Sequence, residues 1–162
     1  MRQGELLALR WQDVNLERGE LTVRHTLQRF TRQLAPTKTA RSQRTLRLPD
    51  RVVRALATHH ERQAVASLAG YVFTTGGGQP LDQVNVTTAF QRCLRRLGLP
   101  RRRFHDLRHT FATLAIEAGE PLEAVSRALG HTRLATTADV YAHWTPAMQD
   151  RLAQRMDAVL GQ

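Results

Sequence analysis

From Asp82 onward the apolar residues recur at helical spacing, in short segments opened by a cap or a proline and closed by glycine, and this punctuation restricts the second half of the chain to a set of brief helices. Asp82 is placed to cap a helix carrying Val86, Phe90, Cys93, Leu94 and Leu97 on one side, with Gly98 ending it. A helix from about His105 to Ala118 has Leu107, Phe111, Leu114, Ala115 and Ala118 as its apolar stripe. Pro121 opens a short helix that Gly130 ends. Another runs from about Thr136 to His143, and Thr145-Pro146 starts a last one with Met148, Leu152, Met156 and Val159 on one face.

The first half reads differently. Gly4 to Arg10 predicts a helix with Leu6, Leu7 and Leu9 apolar, and Trp11 to Asn15 breaks it. Glu20 to Phe30 alternates, with Val23, Thr26 and Phe30, and predicts a strand after the Arg18-Gly19 turn. Thr45 to Leu48 predicts its hairpin partner, across a connection containing Pro36-Thr37-Lys38-Thr39. Asp50 can cap a helix with Val52, Val53, Leu56 and Ala64 at near-helical spacing. Tyr71 to Thr74 reads as extended, closed by the Gly76-Gly77-Gly78 turn. The expectation is one α+β, mostly α-helical domain over residues 1–162, with a small antiparallel β-sheet near the N-terminus.

Composition narrows the function. Twenty-four Lys and Arg oppose 14 Asp and Glu, a formal charge of +10, which favours a polyanionic partner such as nucleic acid. Lys38 is the sole lysine. The preference for Arg suits bidentate phosphate contacts, although GC-rich coding produces the same bias. Cys93 is the single cysteine, so an intramolecular disulfide and a Cys-based zinc site are excluded and a reducing cytoplasm is the expected compartment. Leu6-Leu7-Ala8-Leu9 is too short for a signal peptide, and no apolar run approaches the ~18 residues of a membrane span, so no membrane partner is expected.

On the 105–118 helix, His105 and His109 fall on the polar face and Arg108 at its edge against the apolar side. His105 and Arg108, three apart, can address one phosphate, the guanidinium fork donating two parallel hydrogen bonds. His105 and His109 also have the H-x-x-x-H spacing of zinc proteases, but Asp106 stands where that motif has Glu, and no clear third ligand follows; no metal is expected. Gly130 can turn His131 back toward the preceding helix. Pro121 to Tyr141 can also be read as a helix-turn-helix with Gly130 in the turn and Arg133, Thr136 and Thr137 facing a major groove, the pattern of a noncatalytic DNA-binding regulator.

Arg2-Gln3-Gly4-Glu5-Leu6, His105-Asp106-Leu107-Arg108-His109-Thr110, Leu129-Gly130-His131 and Thr137 to Tyr141 occur in that order, and jointly they resemble the catalytic domain of tyrosine recombinases of the phage-integrase family. The resemblance implies that fold, and roles residue by residue. Arg2 and Arg108 are similar to the two catalytic arginines, and Lys38 to the β-hairpin lysine. His105 and His131 match the active-site imidazoles, Glu5 the acidic residue after the first arginine, and Tyr141 the nucleophile. It implies double-stranded DNA as partner, a homotetramer of full-length protomers on DNA, and no cofactor. It also implies a preceding core-binding domain; the chain opens on Met1-Arg2, and the expectation is that the piece as given is weakly active or inactive.

The chemistry suits these residue types. Cutting and rejoining DNA without losing the bond energy calls for a covalent intermediate, which a phenol supplies as a 3′-phosphotyrosine. Arg2, Arg108 and His131 would stabilise the charge of the pentavalent transition state. Lys38 could protonate the leaving oxygen, and His105 accept the phenolic proton or orient Arg108. Arg24, Arg29, Arg32, Arg41 and Arg44 around the hairpin, and Arg101, Arg102 and Arg103 before the His105 helix, are expected to hold backbone phosphates.

Overall fold

The computed structural model describes residues 1–29, 33–36, 43–63, 70–130, 150, 154 and 156. The chain forms two compact units, Met1–Arg108 and His109–Gln162.

The first unit begins with α1 (Gln3–Leu7), shorter than the helix expected from Gly4 to Arg10. Leu7, Ala8 and Leu9 are all buried, and three consecutive residues cannot share one helical face. Leu7 and Ala8 pack with Leu27, whereas Leu9 joins Leu21, Val23, Leu56 and Val72. The chain therefore leaves the helix at Ala8 and runs extended beside Tyr71: the Val72 amide donates to Leu9 O at 2.9 Å and the Trp11 amide to Gly70 O at 2.8 Å.

Strands β1 (Val14–Asn15), β2 (Glu20–Val23) and β5 (Arg44–Arg47) form an antiparallel sheet in the order β1-β2-β5. Strands β3 (His25–Leu27) and β4 (Leu34–Pro36) form a separate antiparallel pair. The single strand expected from Glu20 to Phe30 is thus two, and β1 and β4 were not expected. The interruption falls at Arg24, whose Nε binds the buried carboxylate of Asp13 at 3.0 Å. Leu21 and Val23 point into the core, and on the opposite face Thr22 and Thr45 meet through their hydroxyls at 3.0 Å.

Helix α2 (Asp50–Arg62) closes the larger core with Leu56. Asp50 is its first residue rather than its cap, which is Pro49, and places an acid at the positive end of the helix dipole. Helix α3 (Gln83–Arg96) is bounded as the sequence predicts. Asp82 Oδ1 accepts from the amides of Val84 at 2.8 Å and Asn85 at 3.2 Å. At the far end the Leu99 amide returns to Leu94 O at 2.9 Å around Gly98, whose φ of 67° is one that only glycine adopts freely.

Helix α4 (Asp106–Glu117) is rotated from the expected orientation, keeping Ala115 inward but turning the larger apolar residues out. Leu107, Phe111 and Leu114 are 48%, 53% and 60% exposed, whereas Arg108 is 6% and Ala112 0% exposed. Apolar residues surround this helix, so periodicity alone leaves its orientation open. Packing favours the smaller side chains: in the second unit Ala112, with Ala115 and Ile116 beside it, receives Val125 and Leu129 of α5 (Leu122–Leu129). Gly130 ends α5 at φ 69°, as expected. The helices expected at 136–143 and from Pro146 lie outside the described residues, apart from isolated helical positions at 150, 154 and 156. Among the described residues no helix is long and apolar enough to cross a membrane.

Candidate active site

The site is built on Glu5, the third residue of α1. Its Oε2 accepts from the Arg2 backbone amide at 2.8 Å and its Oε1 from Arg2 Nη1 at 3.0 Å, so the carboxylate closes the first turn and holds the guanidinium together. From β5, Arg44 Nη2 reaches the same Oε2 at 2.8 Å and Arg44 Nη1 the same Oε1 at 3.4 Å. The Glu5 and Arg44 side chains are 2% and 8% exposed, and that of Arg2 is 46% exposed. Burial pushes the Glu5 carboxyl up; the hydrogen bonds from Arg44 and Arg2 more than reverse this and hold it below its ordinary 4.5. Glu5 is therefore ionised at neutral pH, and two guanidiniums on one carboxylate leave a net positive charge.

Arg108 adds to it. The amino group of Met1 is lowered from 8.0 to about 6, first by burial, then by Arg108 and Arg44, with Glu5 opposing and Arg2 contributing. The charges of Arg108, Arg44 and Arg2 all act on that amino group, and Arg2 and Glu5 are joined directly. Arg44 joins them. Its side chain faces inward with Leu46 rather than outward with Thr45 and Arg47, which corrects its expected place among surface phosphate contacts.

The seat of α1 is fixed by close approach. A Cβ on Gly4 would lie 2.6 Å from Thr26 Oγ1 and 2.9 Å from Leu27 O, so only glycine lets α1 lie this near β3. Gln3 Nε2 donates to Gln83 O at 3.0 Å and to Thr87 Oγ1 at 3.1 Å, and Gln83 Nε2 to Leu27 O at 3.0 Å, tying α1, β3 and α3.

Beside these ties lies a cleft of about 810 Å3, where Arg29, Arg101, Arg102, Arg103 and the exposed His105 meet the polar residues Gln83, Thr87, Thr88 and Gln91 of α3. Arg103 is hooked to Asp106 through Nη2 at 3.1 Å, and Gln91 Nε2 donates to Arg102 O, which steadies the arginine run. The polar α3 residues were not expected. Gln83, Thr87 and Gln91 recur every four positions beside the apolar stripe, and that spacing was the available signal. Arg24 does not line this cleft; it lines a separate hollow with Asp13, Glu17 and Glu20, whose charge repels phosphate. Lys38, Arg32, Arg41, His131 and Tyr141 lie outside the described residues. Among the described residues no three His, Cys, Asp or Glu side chains are placed to hold a metal ion.

The profile of the phage integrase family matches residues 1–148. The chain is 34% identical over 181 aligned positions to a "Tyrosine recombinase XerC-like" protein of Caldanaerobacter subterraneus subsp. tengcongensis, covering 97% of this chain and 46% of that protein. It is 38% identical over 161 positions to an integrase of Streptomyces ambofaciens, covering 86% of this chain and 40% of the relative. It thus spans less than half the length of these relatives. Among solved structures, the Tn1549 transposon integrase in complex with transposon right end DNA superposes with a TM-score of 0.83 at 25% identity, over 96% of this chain and 54% of that one.

Proposed function

The chain belongs to the phage integrase family, the tyrosine recombinases, and on that premise we propose that it is the part of a site-specific recombinase that cuts and rejoins duplex DNA. The observation that carries the proposal is the pairing of Arg2 and Arg44 with the buried carboxylate of Glu5, which leaves a positive charge suited to a phosphate whose charge grows in the transition state. The DNA-bound Tn1549 integrase, similar in fold, supports duplex DNA as substrate. The cleft with Arg29 and Arg101 to Arg103 suits its backbone.

In the proposed reaction the phenol oxygen of Tyr141 attacks the scissile phosphorus. The P–O bond to the 5′ oxygen breaks, and a 3′-phosphotyrosine and a free 5′-hydroxyl result. The phenolic proton passes to a base, for which His105 is the candidate, and the departing oxygen takes a proton from Lys38. Attack by a 5′-hydroxyl of a second strand reverses these steps and restores the tyrosine. Arg2, Arg108 and His131 donate to the nonbridging oxygens throughout. No step consumes a nucleotide or calls for a metal ion. Exchange between two duplexes needs four such sites, hence a homotetramer of full-length protomers, acting in the cytoplasm.

A duplex nicked beside the cleavage point loses its short 3′-terminal product and traps the adduct. A covalent protein–DNA species that vanishes in Tyr141→Phe is the expected result. An adduct that persists in Tyr141→Phe overturns the nucleophile. The lack of any adduct, from this chain and from a longer product of its reading frame, overturns the reaction and leaves a noncatalytic DNA binder.

A further inference from the structure

We infer that Arg44 is a positioning residue: it takes up the charge of Glu5, so that Glu5 can orient Arg2 without cancelling the positive charge that Arg2 presents to phosphate. The inference rests on the recombinase reading above and goes beyond it, since the residues expected to act there do not include this role.

The geometry has a particular symmetry. Each carboxylate oxygen of Glu5 takes one donor from each arginine: Oε2 from the Arg2 amide and Arg44 Nη2, both at 2.8 Å, and Oε1 from Arg2 Nη1 at 3.0 Å and Arg44 Nη1 at 3.4 Å. Glu5 and Arg2 alone would form a neutral pair. A neutral pair attracts an oxyanion weakly, and the better Glu5 held Arg2 the less that arginine would offer. With Arg44 on the carboxylate the cluster carries one net positive charge. The exposures show which arginine keeps it accessible: the Arg44 side chain is 8% exposed and that of Arg2 is 46% exposed. The buried guanidinium serves the carboxylate, and the Arg2 guanidinium is the more exposed of the two.

The test compares the parent chain with Arg44→Gln, Glu5→Gln and the double variant, each checked for folding by circular dichroism. Two quantities are read: the rate of covalent adduct formation on the nicked duplex, and duplex affinity against salt. Arg44→Gln is expected to slow the adduct by roughly 10–100-fold, as loss of a supporting partner does, with the salt slope of binding unchanged. Adding Glu5→Gln removes the uncompensated carboxylate, and the double variant is expected to regain at least about tenfold of that loss. Arg44→Lys keeps the charge and is expected to lie closer to the parent than to Arg44→Gln. The inference is overturned if Arg44→Gln flattens the salt slope by about 0.9, the mark of one lost phosphate contact, and the double variant is no faster than the single one. If neither the parent nor the longer product of its reading frame forms an adduct, the proposed reaction falls, and orthovanadate binding decides the inference separately: weakening in Arg44→Gln with recovery in the double variant upholds it, and equal affinity in all four overturns it.

Discussion

Arg44 and Glu5, 39 residues apart, meet with Nη2 2.8 Å from Oε2, joining the last strand of the sheet to the first helix. The contact is buried on both sides, so it governs stability as well as charge.

The Glu5 carboxyl sits below its ordinary value of 4.5 in the folded chain. It therefore binds its proton less tightly folded than unfolded, and its stabilisation is complete above 4.5 and lost as pH falls through the lower folded value. Glu5→Ala removes one partner of a buried pair and is expected to cost about 3 kcal/mol at pH 7. Chemical denaturation from pH 3 to 7 checks both points: the parent should lose stability toward the acid end more steeply than Glu5→Gln.

Gly4→Ala would drive a methyl group to within 2.9 Å of the Leu27 carbonyl, a backbone atom that cannot swing aside. The expected cost is about 1–3 kcal/mol, from strain or from displacement of α1 off β3. Gly76→Ala, with no atom within 4 Å of the added carbon, is the matched control and should fall within about 0.5 kcal/mol of the parent. Urea unfolding of the two variants separates close packing from a general glycine effect.

The helix ends offer a third check. Asp82→Ala removes the acceptor for two amides at the start of α3 and should cost about 1 kcal/mol. Gly130→Ala places a Cβ on a residue at φ 69° and should cost about 1 kcal/mol, with Gly130→Asn milder because asparagine tolerates that conformation. Thermal melts of the three variants would show whether either boundary matters as stated.

Arg101→Ala and Arg102→Ala should each weaken duplex binding and lower the slope of log affinity against log salt by about 0.9. Arg24→Ala should leave both nearly unchanged, since that side chain is engaged by Asp13 among further carboxylates. Fluorescence anisotropy from 50 to 300 mM salt would settle the comparison, and an Arg24 effect equal to that of Arg101 would refute the division of the basic residues.

Local chemistry made the boundaries readable. Asp82 acts through its carboxylate on amides two and three residues on, and Gly98 and Gly130 act through their own backbones, so their roles could be read without any tertiary partner. Which side of an element is buried depends on distant residues. The exposed Leu107, Phe111 and Leu114 have the period of a core stripe, and only the small Ala112, facing Val125 and Leu129, decides against them. The division of β2 from β3 depends likewise on Asp13, which engages Arg24 from outside the strand. The nearness of Arg2 to Glu5 was legible from their spacing of three. Arg44 was legible in retrospect, since it alternates with Leu46 and Leu48 on the inward face of its segment, and an arginine in such a series needs a buried acid.

The pairing of Val23 with Arg44 in the β2–β5 ladder carries a consequence for how this chain can vary. Strand faces alternate, so slippage by a single residue would turn that guanidinium to solvent and bring Gln43 or Thr45 beneath Glu5. An offset of one within the ladder would extinguish the Glu5–Arg44 pair while both side chains stayed encoded.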